Sequence, residues 1–174
     1  MNSRVHRLAI ALFAGLGIAS LAWTMVRVPA PRIVYNPSDS VPRGWYRIGP
    51  PDALHVDDIV LARLPAEAAA LAAQRGYLPG RIPLLKRIGA VAAQIVCIED
   101  DIVRVDGLPV AIARTSDSRG RAPPVWRQCR PLRDSEPFLL SDKNPASFDS
   151  RYFGPISISS VIGSAQPLWT WSAP

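Results

Sequence analysis

Three short segments of this 174-residue chain carry the residue types that can do chemistry. The first is SDSVPRGWY, residues 38–46, where Ser38 and Ser40 stand two apart and Pro42 and Gly44 shape the turn that follows. Proline fixes φ and stiffens the chain, which suits a hydroxyl nucleophile held in one pose and also suits a purely structural turn. The second is PLLKRIGAV, residues 83–91. On a strand alternate residues share a face, so Leu84, Lys86 and Ile88 point together and Arg87 points away. Burial disfavours a charged ammonium and lowers its pKa from about 10.4, and a neutral amine can take a proton from a serine hydroxyl. A lysine that snorkels to a strand edge fits the same pattern. The third is PASFDSRYFG, residues 145–154. In an extended chain Ser147, Asp149 and Arg151 lie on one side, where a hydroxyl can aim the amine and an ion pair can stiffen the segment. A polar loop with a surface salt bridge is the plainer alternative.

The other candidates are few. His6 and His55 are the only histidines, which argues against a Ser-His-Asp triad. His55 stands in the acidic turn DALHVDD, and His6 precedes a long apolar run. Of the 20 basic residues only Lys86 and Lys143 are lysines. Arginine supplies the charge, so a lysine here is wanted for losing its proton, which arginine does not do. Lys143, in the polar turn SDKNP, reads as a solvated surface residue. The net charge of +6 raises a nucleic-acid reading, but the arginines are scattered and no basic run or aromatic RNA motif is present. A surface facing anionic lipid accounts for the charge as well.

The elements that must position these residues are mostly strands. The 18 prolines and 11 glycines favour many turns over a helical bundle. Strands are expected at 44–49, 58–64, 83–91, 94–99, 101–107, 108–113, 137–141 and 155–163, with Asp106-Gly107 as a hairpin turn. PAEAAALAAQRG, residues 65–76, predicts a short helix with Pro65 at its start and Gly76 at its stop. Residues 114–131 are polar and proline-rich, and a loop or insertion is expected there. The sum is a mostly antiparallel β-fold with one or two short helices.

Ahead of this body, residues 8–26 are free of charge. As a helix they span roughly 28 Å, about a bilayer core. Arg4 and Arg7 precede them, so residues 1–7 form a cytoplasmic basic tail, 8–26 a transmembrane anchor, and 27–174 an exported domain. A signal peptide cut after small residues such as Gly17 and Ala19 is the alternative. Cys97 and Cys129, the only cysteines, then lie in an oxidising compartment, as a disulfide or as two buried thiols.

In this order the three segments resemble the bacterial type I signal peptidases, serine proteases that use a Ser-Lys dyad. SDSVP is similar to that family's nucleophile box, LLKRIGA to its lysine box and SFDSRYFG to its third box. RGYLPGRIPLLKRI, GRAPPVW, FDSRYFG and the Pro-x-Gly-x-Tyr ending of SVPRGWY resemble the TraF-type peptidases of conjugative transfer systems. The chain departs in having Val41 where methionine is common, in lacking a Gly-Asp after the lysine box, and in having a serine at the start of SDKNP where glycine is frequent. The resemblance implies a signal-peptidase-like β-fold with an N-terminal transmembrane helix. It implies Ser40 as nucleophile about 3 Å from Lys86 as general base, Ser38 and Ser40 as the oxyanion hole, and Ser147, Asp149 and Arg151 as supports. No metal or other cofactor is implied. The expected function is maturation of an exported, pilin-like precursor at the periplasmic face of the bacterial inner membrane, with membrane lipid as the other partner. A general leader peptidase and a non-catalytic anchored assembly module of a conjugation or secretion system are the competing functions.

Overall fold

Residues Ser3–Val26 form one helix, α1. Within it Arg4–Trp23 is a 20-residue stretch of mean hydropathy 1.7, long and apolar enough to cross a membrane by length and composition. Its large side chains from Val5 to Trp23, among them Leu8, Ile10, Leu12, Phe13 and Leu16, are exposed, as in a helix that is apolar all round. The computed structural model describes residues 3–26, 32–51, 53–79, 82–141 and 144–171. The chain divides into two units, Met1–Pro31 and Arg32–Pro174.

The second unit is built from two antiparallel sheets. Its strands are β1 Ile33–Asn36, β2 Arg43–Ile48, β3 Ile59–Ala62, β4 Leu84–Ala90, β5 Ile95–Glu99, β6 Ile102–Val105, β7 Leu108–Ile112, β8 Cys129–Pro131, β9 Phe138–Leu140 and β10 Val161–Trp171. One sheet has the order β1-β2-β10-β3-β4-β9 and the other β7-β6-β5-β8. Among the described residues two short helices, α2 Ala66–Arg75 and α3 Ser150–Phe153, and one 3-10 turn at Ile158–Ser160 complete the unit.

Local chemistry explains most of these boundaries. Pro65 stands at the N-cap of α2, and Gly76 ends the helix in the left-handed region at φ 71°, its N–H turned back to Ala72 and Ala73 carbonyls. Asp106 and Gly107 both have positive φ, as the tight turn between β6 and β7 demands. Asp100 and Asp101 do the same between β5 and β6. Alternation places Val96, Ile98, Val103 and Val105 on one face, where they bury against Ala90, Leu132, Phe138 and Leu140. That cluster ties the small sheet to the large one. A second cluster, Val41, Tyr46, Leu61, Leu85 and Ala165, lies directly beneath the SDSVP turn.

Three expectations need correction. Residues 155–163 are not one strand: Ser157 accepts a hydrogen bond from the Ser159 N–H and starts the 3-10 turn, and β10 begins only at Val161. It then runs to Trp171 because it pairs with β3 and with β2 in succession, with a bulge between Pro167 and Trp169 that accommodates the proline. The polar stretch 114–131 ends in β8, which pairs with β5 at the Cys97–Cys129 position, where the two sulfurs are joined in a disulfide. Closing a loop with a sequence separation of 32 contributes about 3–4 kcal/mol on the chain-entropy model. No strand is expected before residue 44, yet the Pro-rich residues 27–37 end in one, β1.

Gly44, in β2, has φ 141°, and a Cβ there would collide with the backbone carbonyl of Trp169 on β10. Only glycine fits such a backbone without strain. Gly44→Ala is therefore expected to cost about 2–3 kcal/mol in thermal or urea unfolding of the full chain, and an unchanged midpoint would refute the close approach.

Candidate active site

The SDSVP turn links β1 to β2 and is held from inside. Asn36, 5 % exposed, ends β1 and points back under the turn. Its Nδ2 donates to the carbonyls of Ser38 at 2.9 Å, Val41 at 3.0 Å and Pro42 at 3.2 Å. Its Oδ1 accepts from the Ser38 N–H at 3.1 Å and the Ser38 hydroxyl at 2.8 Å. Tyr46 donates its hydroxyl to the Pro42 carbonyl at 2.6 Å. On the outside Arg43 pairs with Asp39 through two hydrogen bonds, at 2.6 and 2.8 Å. Val41 is buried below, so the turn is fixed by an apolar plug as well as by polar bonds.

Ser40 is 9 % exposed. Its hydroxyl lies 2.9 Å from that of Ser38 and donates to the Leu85 carbonyl at 3.1 Å. Leu85 is the neighbour of Lys86 on β4, so the hydroxyl docks on the strand that carries the amine. In this structure the two groups bond elsewhere: the Leu85 carbonyl accepts from the Ser40 hydroxyl and Ser147 accepts from Lys86, as in a site looser than the 3 Å contact expected of a closed dyad.

Lys86 is 4 % exposed. It sits on β4, between β3 and β9 in the large sheet, directly across from Val60. Its Nζ donates to Ser147 Oγ. Burial pushes its pKa down to about 8, with the Asp149 carboxylate opposing that shift and the Arg151 guanidinium assisting it. An amine in this state is neutral in about one molecule in ten at pH 7.

Ser147, Asp149 and Arg151 do converge, but through a helix cap and not through strand alternation. Asp149 is the N-cap of α3. Its carboxylate, fully buried, grips the guanidinium of Arg151 at 2.8 Å through both oxygens. The same carboxylate accepts from the Ser141 N–H at 3.1 Å. Arg151 also donates to the carbonyls of Ile112, Asn144 and Ser147. Every nitrogen of this buried cation thus has an acceptor, as burial of a charge requires.

Two residues of the site were not singled out by type or spacing. Asn36 lies in a Pro-rich stretch with no chemistry-bearing pattern of its own, although an Asn two residues before a serine is a turn-capping signal. Ser141, 1 % exposed, donates its hydroxyl to the Ser40 carbonyl at 3.0 Å across 101 positions of sequence, a contact with no local signature. His55 stands apart on an exposed turn, its ring 3.5 Å from the Asp58 carboxylate. Lys143 lies outside the described residues.

The family described as "Signal peptidase, peptidase S26" matches residues 5–171. A plasmid transfer protein TraF of Escherichia coli is 33% identical over 142 residues, which cover 80% of this chain and 76% of that protein. A probable conjugal transfer protein TraF of Sinorhizobium fredii is 34% identical over 173 residues, covering 95% of this chain and 88% of that one. A solved signal peptidase I of Enterococcus faecalis matches 66% of this chain and 97% of its own at 19% identity, with a TM-score of 0.39. With residues 5–171 of its 174 matched by that family, the chain belongs to the S26 signal peptidases.

Proposed function

We propose that this protein is a membrane-anchored serine endopeptidase that uses a Ser40-Lys86 dyad to mature an exported precursor, and that the precursor is a conjugative pilin. The observation that carries the catalytic part is Lys86: an amine out of contact with water, lowered to a pKa of about 8, with a single hydroxyl partner. No structural need accounts for so costly a group in the middle of a sheet. The relatives named plasmid transfer and conjugal transfer proteins support the conjugative setting.

Each step has a residue. Ser40 Oγ swings from the Leu85 carbonyl toward Lys86 Nζ and gives up its proton to the amine lone pair. The oxygen attacks the scissile carbonyl carbon. The Ser40 N–H faces the oxyanion that forms, and the Ser38 hydroxyl joins it by turning its one proton away from Asn36 Oδ1, donors of a kind whose loss typically costs about 10²- to 10³-fold. Collapse breaks the C–N bond, and the ammonium of Lys86 returns the proton to the leaving amine. Water then hydrolyses the ester, with Lys86 again as base. Ser147 holds one N–H of Lys86 and so leaves the lone pair free for Ser40.

Arg4 and Arg7, in the first turns of α1 and ahead of its uncharged stretch 8–26, favour a cytoplasmic N-terminus and a periplasmic catalytic unit at the bacterial inner membrane. Leu168, Trp169 and Trp171 are exposed on β10, and Tyr35 packs against Trp45 and Trp171 at 5.1 and 6.2 Å. Aromatic side chains of this kind favour a lipid interface, where a membrane-threaded precursor presents its cleavage site. The test is to incubate the full-length chain in detergent with a pilin-type precursor and with unrelated secretory precursors. Cutting of the pilin precursor at one site is expected. Equal cutting of all precursors would return the general leader peptidase, and no cutting of any would leave only the assembly module.

A further inference from the structure

We propose that Asn36 and Ser141 are the positioning residues of the nucleophile turn, holding the Ser38–Pro42 backbone in the geometry that acylation needs. This deepens the peptidase reading and rests on it. Neither residue is a hydrogen-bond partner of the Ser40 hydroxyl, which goes to Ser38 and the Leu85 carbonyl. Both fix the peptide groups around it.

The pattern is unusual because the carbonyls of the turn are tied down by side chains and not by a ladder. Those of Ser38, Val41 and Pro42 all converge on one amide nitrogen, Asn36 Nδ2. That of Ser40 itself goes to the hydroxyl of Ser141. A side-chain amide has two N–H donors, so three carbonyls crowded around it leave no room for the turn to open without losing acceptors in a dry place. Asn36 and Ser141 are each nearly inaccessible to water, and a broken bond there finds no solvent in exchange.

The two ends act on different atoms. Asn36 Oδ1 receives both the N–H and the O–H of Ser38, which sets the rotamer of the side chain proposed to face the oxyanion. The hydroxyl of Ser141 sets the plane of the peptide that follows Ser40. Ser141 is fastened in turn by its own N–H to Asp149 and by the Asn144 N–H, which donates to its hydroxyl at 3.3 Å. Asp149 also grips Arg151, whose Nη2 donates to the carbonyl of Ser147. One buried ion pair therefore governs both partners: Ser141 carries its position to the nucleophile, and Ser147 carries it to the base.

Displacement of a reacting group by about 1 Å costs on the order of 10²-fold in rate. Full-length Asn36→Ala in detergent is expected to lose about 10²-fold in kcat, and Ser141→Ala about 10-fold, each with KM within about twofold of the parent. The midpoint of the rise in rate with pH, which reports Lys86, is expected to stay in place in both. In Ser147→Ala, where the amine loses its partner, it is expected to move. Ser141→Thr, which keeps the hydroxyl, is expected to recover most of the loss. If Asn36→Ala does not fold, the decision passes to Ser141→Ala, which removes one oxygen. A folded Ser141→Ala with parental kcat would overturn the proposal, and so would a loss confined to KM. An inert parent chain would sink the peptidase reading itself, and this inference with it.

Discussion

Lys86→Met is expected to yield a protein that is more stable than its parent and at least about 10³-fold slower at cleaving its precursor. The two effects have one cause. The lysine pKa falls from 10.5 in the unfolded chain to about 8 in the folded one, chiefly by burial. At 1.36 kcal/mol per unit, the fold carries a penalty of about 3 kcal/mol for this group. The sign is set by proton binding: between pH 8 and 10.5 the unfolded chain holds more protons than the folded one, so stability rises with pH across that window. Below about 8 both states are charged and the full penalty applies. Methionine fills a similar volume without a charge and removes the penalty, less the lost bond to Ser147. A net gain of about 1–2 kcal/mol at pH 7 remains. Ser40→Ala, by contrast, is expected to abolish cleavage with little change in stability, since Ser40 is neutral and keeps its backbone contacts. Unfolding of both variants in detergent at pH 7 and at pH 10 checks this. If Lys86→Met is destabilised at pH 7, or retains the parent's rise in stability with pH, the buried amine is not the source of the penalty. If it still cleaves, it is not the base. The same pKa predicts a rate that climbs with pH to a plateau above about 8, because only the neutral amine accepts a proton.

The contrast between Lys86 and Ser141 marks how far the sequence could be read. Lys86 drew notice because its type is scarce in this chain and its same-face neighbours Leu84 and Ile88 are apolar, but those facts fit a snorkelling lysine equally, and only the resemblance of the three segments together implied a base. The strands that carry it and its neighbours were legible through alternation and turn residues such as Asp106-Gly107. Ser141 was not legible, since its role comes from a contact with a residue 101 positions away. The extended reading of residues 145–154 brought Ser147, Asp149 and Arg151 to one side by the wrong route. Asp149 satisfies the first N–H groups of α3 and so turns the chain into a helix at that point. The missing Ser40-Lys86 bond is of a third kind. A segment order tells which residues share a site but not which acceptor a rotatable hydroxyl chooses, and here the Leu85 carbonyl competes with the amine.

Asp149→Ala is expected to destabilise the full-length chain by about 3–5 kcal/mol, the range for breaking a buried ion pair by removing one partner. The carboxylate is fully buried, and its loss leaves Arg151, 1 % exposed, with backbone carbonyls alone to balance its charge. It also strips the Ser141 N–H of its acceptor. Replacing both ends of the pair, as Asp149→Leu with Arg151→Met, is expected to recover part of the stability, because two desolvated charges disappear together. Activity should not recover, since neither apolar side chain can hold Ser141 or the Ser147 carbonyl in place. The lysine supplies an independent check on any folded Asp149→Ala. The carboxylate opposes the fall of the Lys86 pKa and the guanidinium assists it, so removing the carboxylate should shift the midpoint of the pH-rate curve below that of the parent. More of the amine is then neutral at pH 7, and by protonation alone the variant should be faster. A slower variant whose midpoint has moved down separates lost geometry from lost base. An unfolding free energy within about 0.5 kcal/mol of the parent's would show that the pair braces nothing, and the common support of nucleophile and base would have to be sought elsewhere in the sheet.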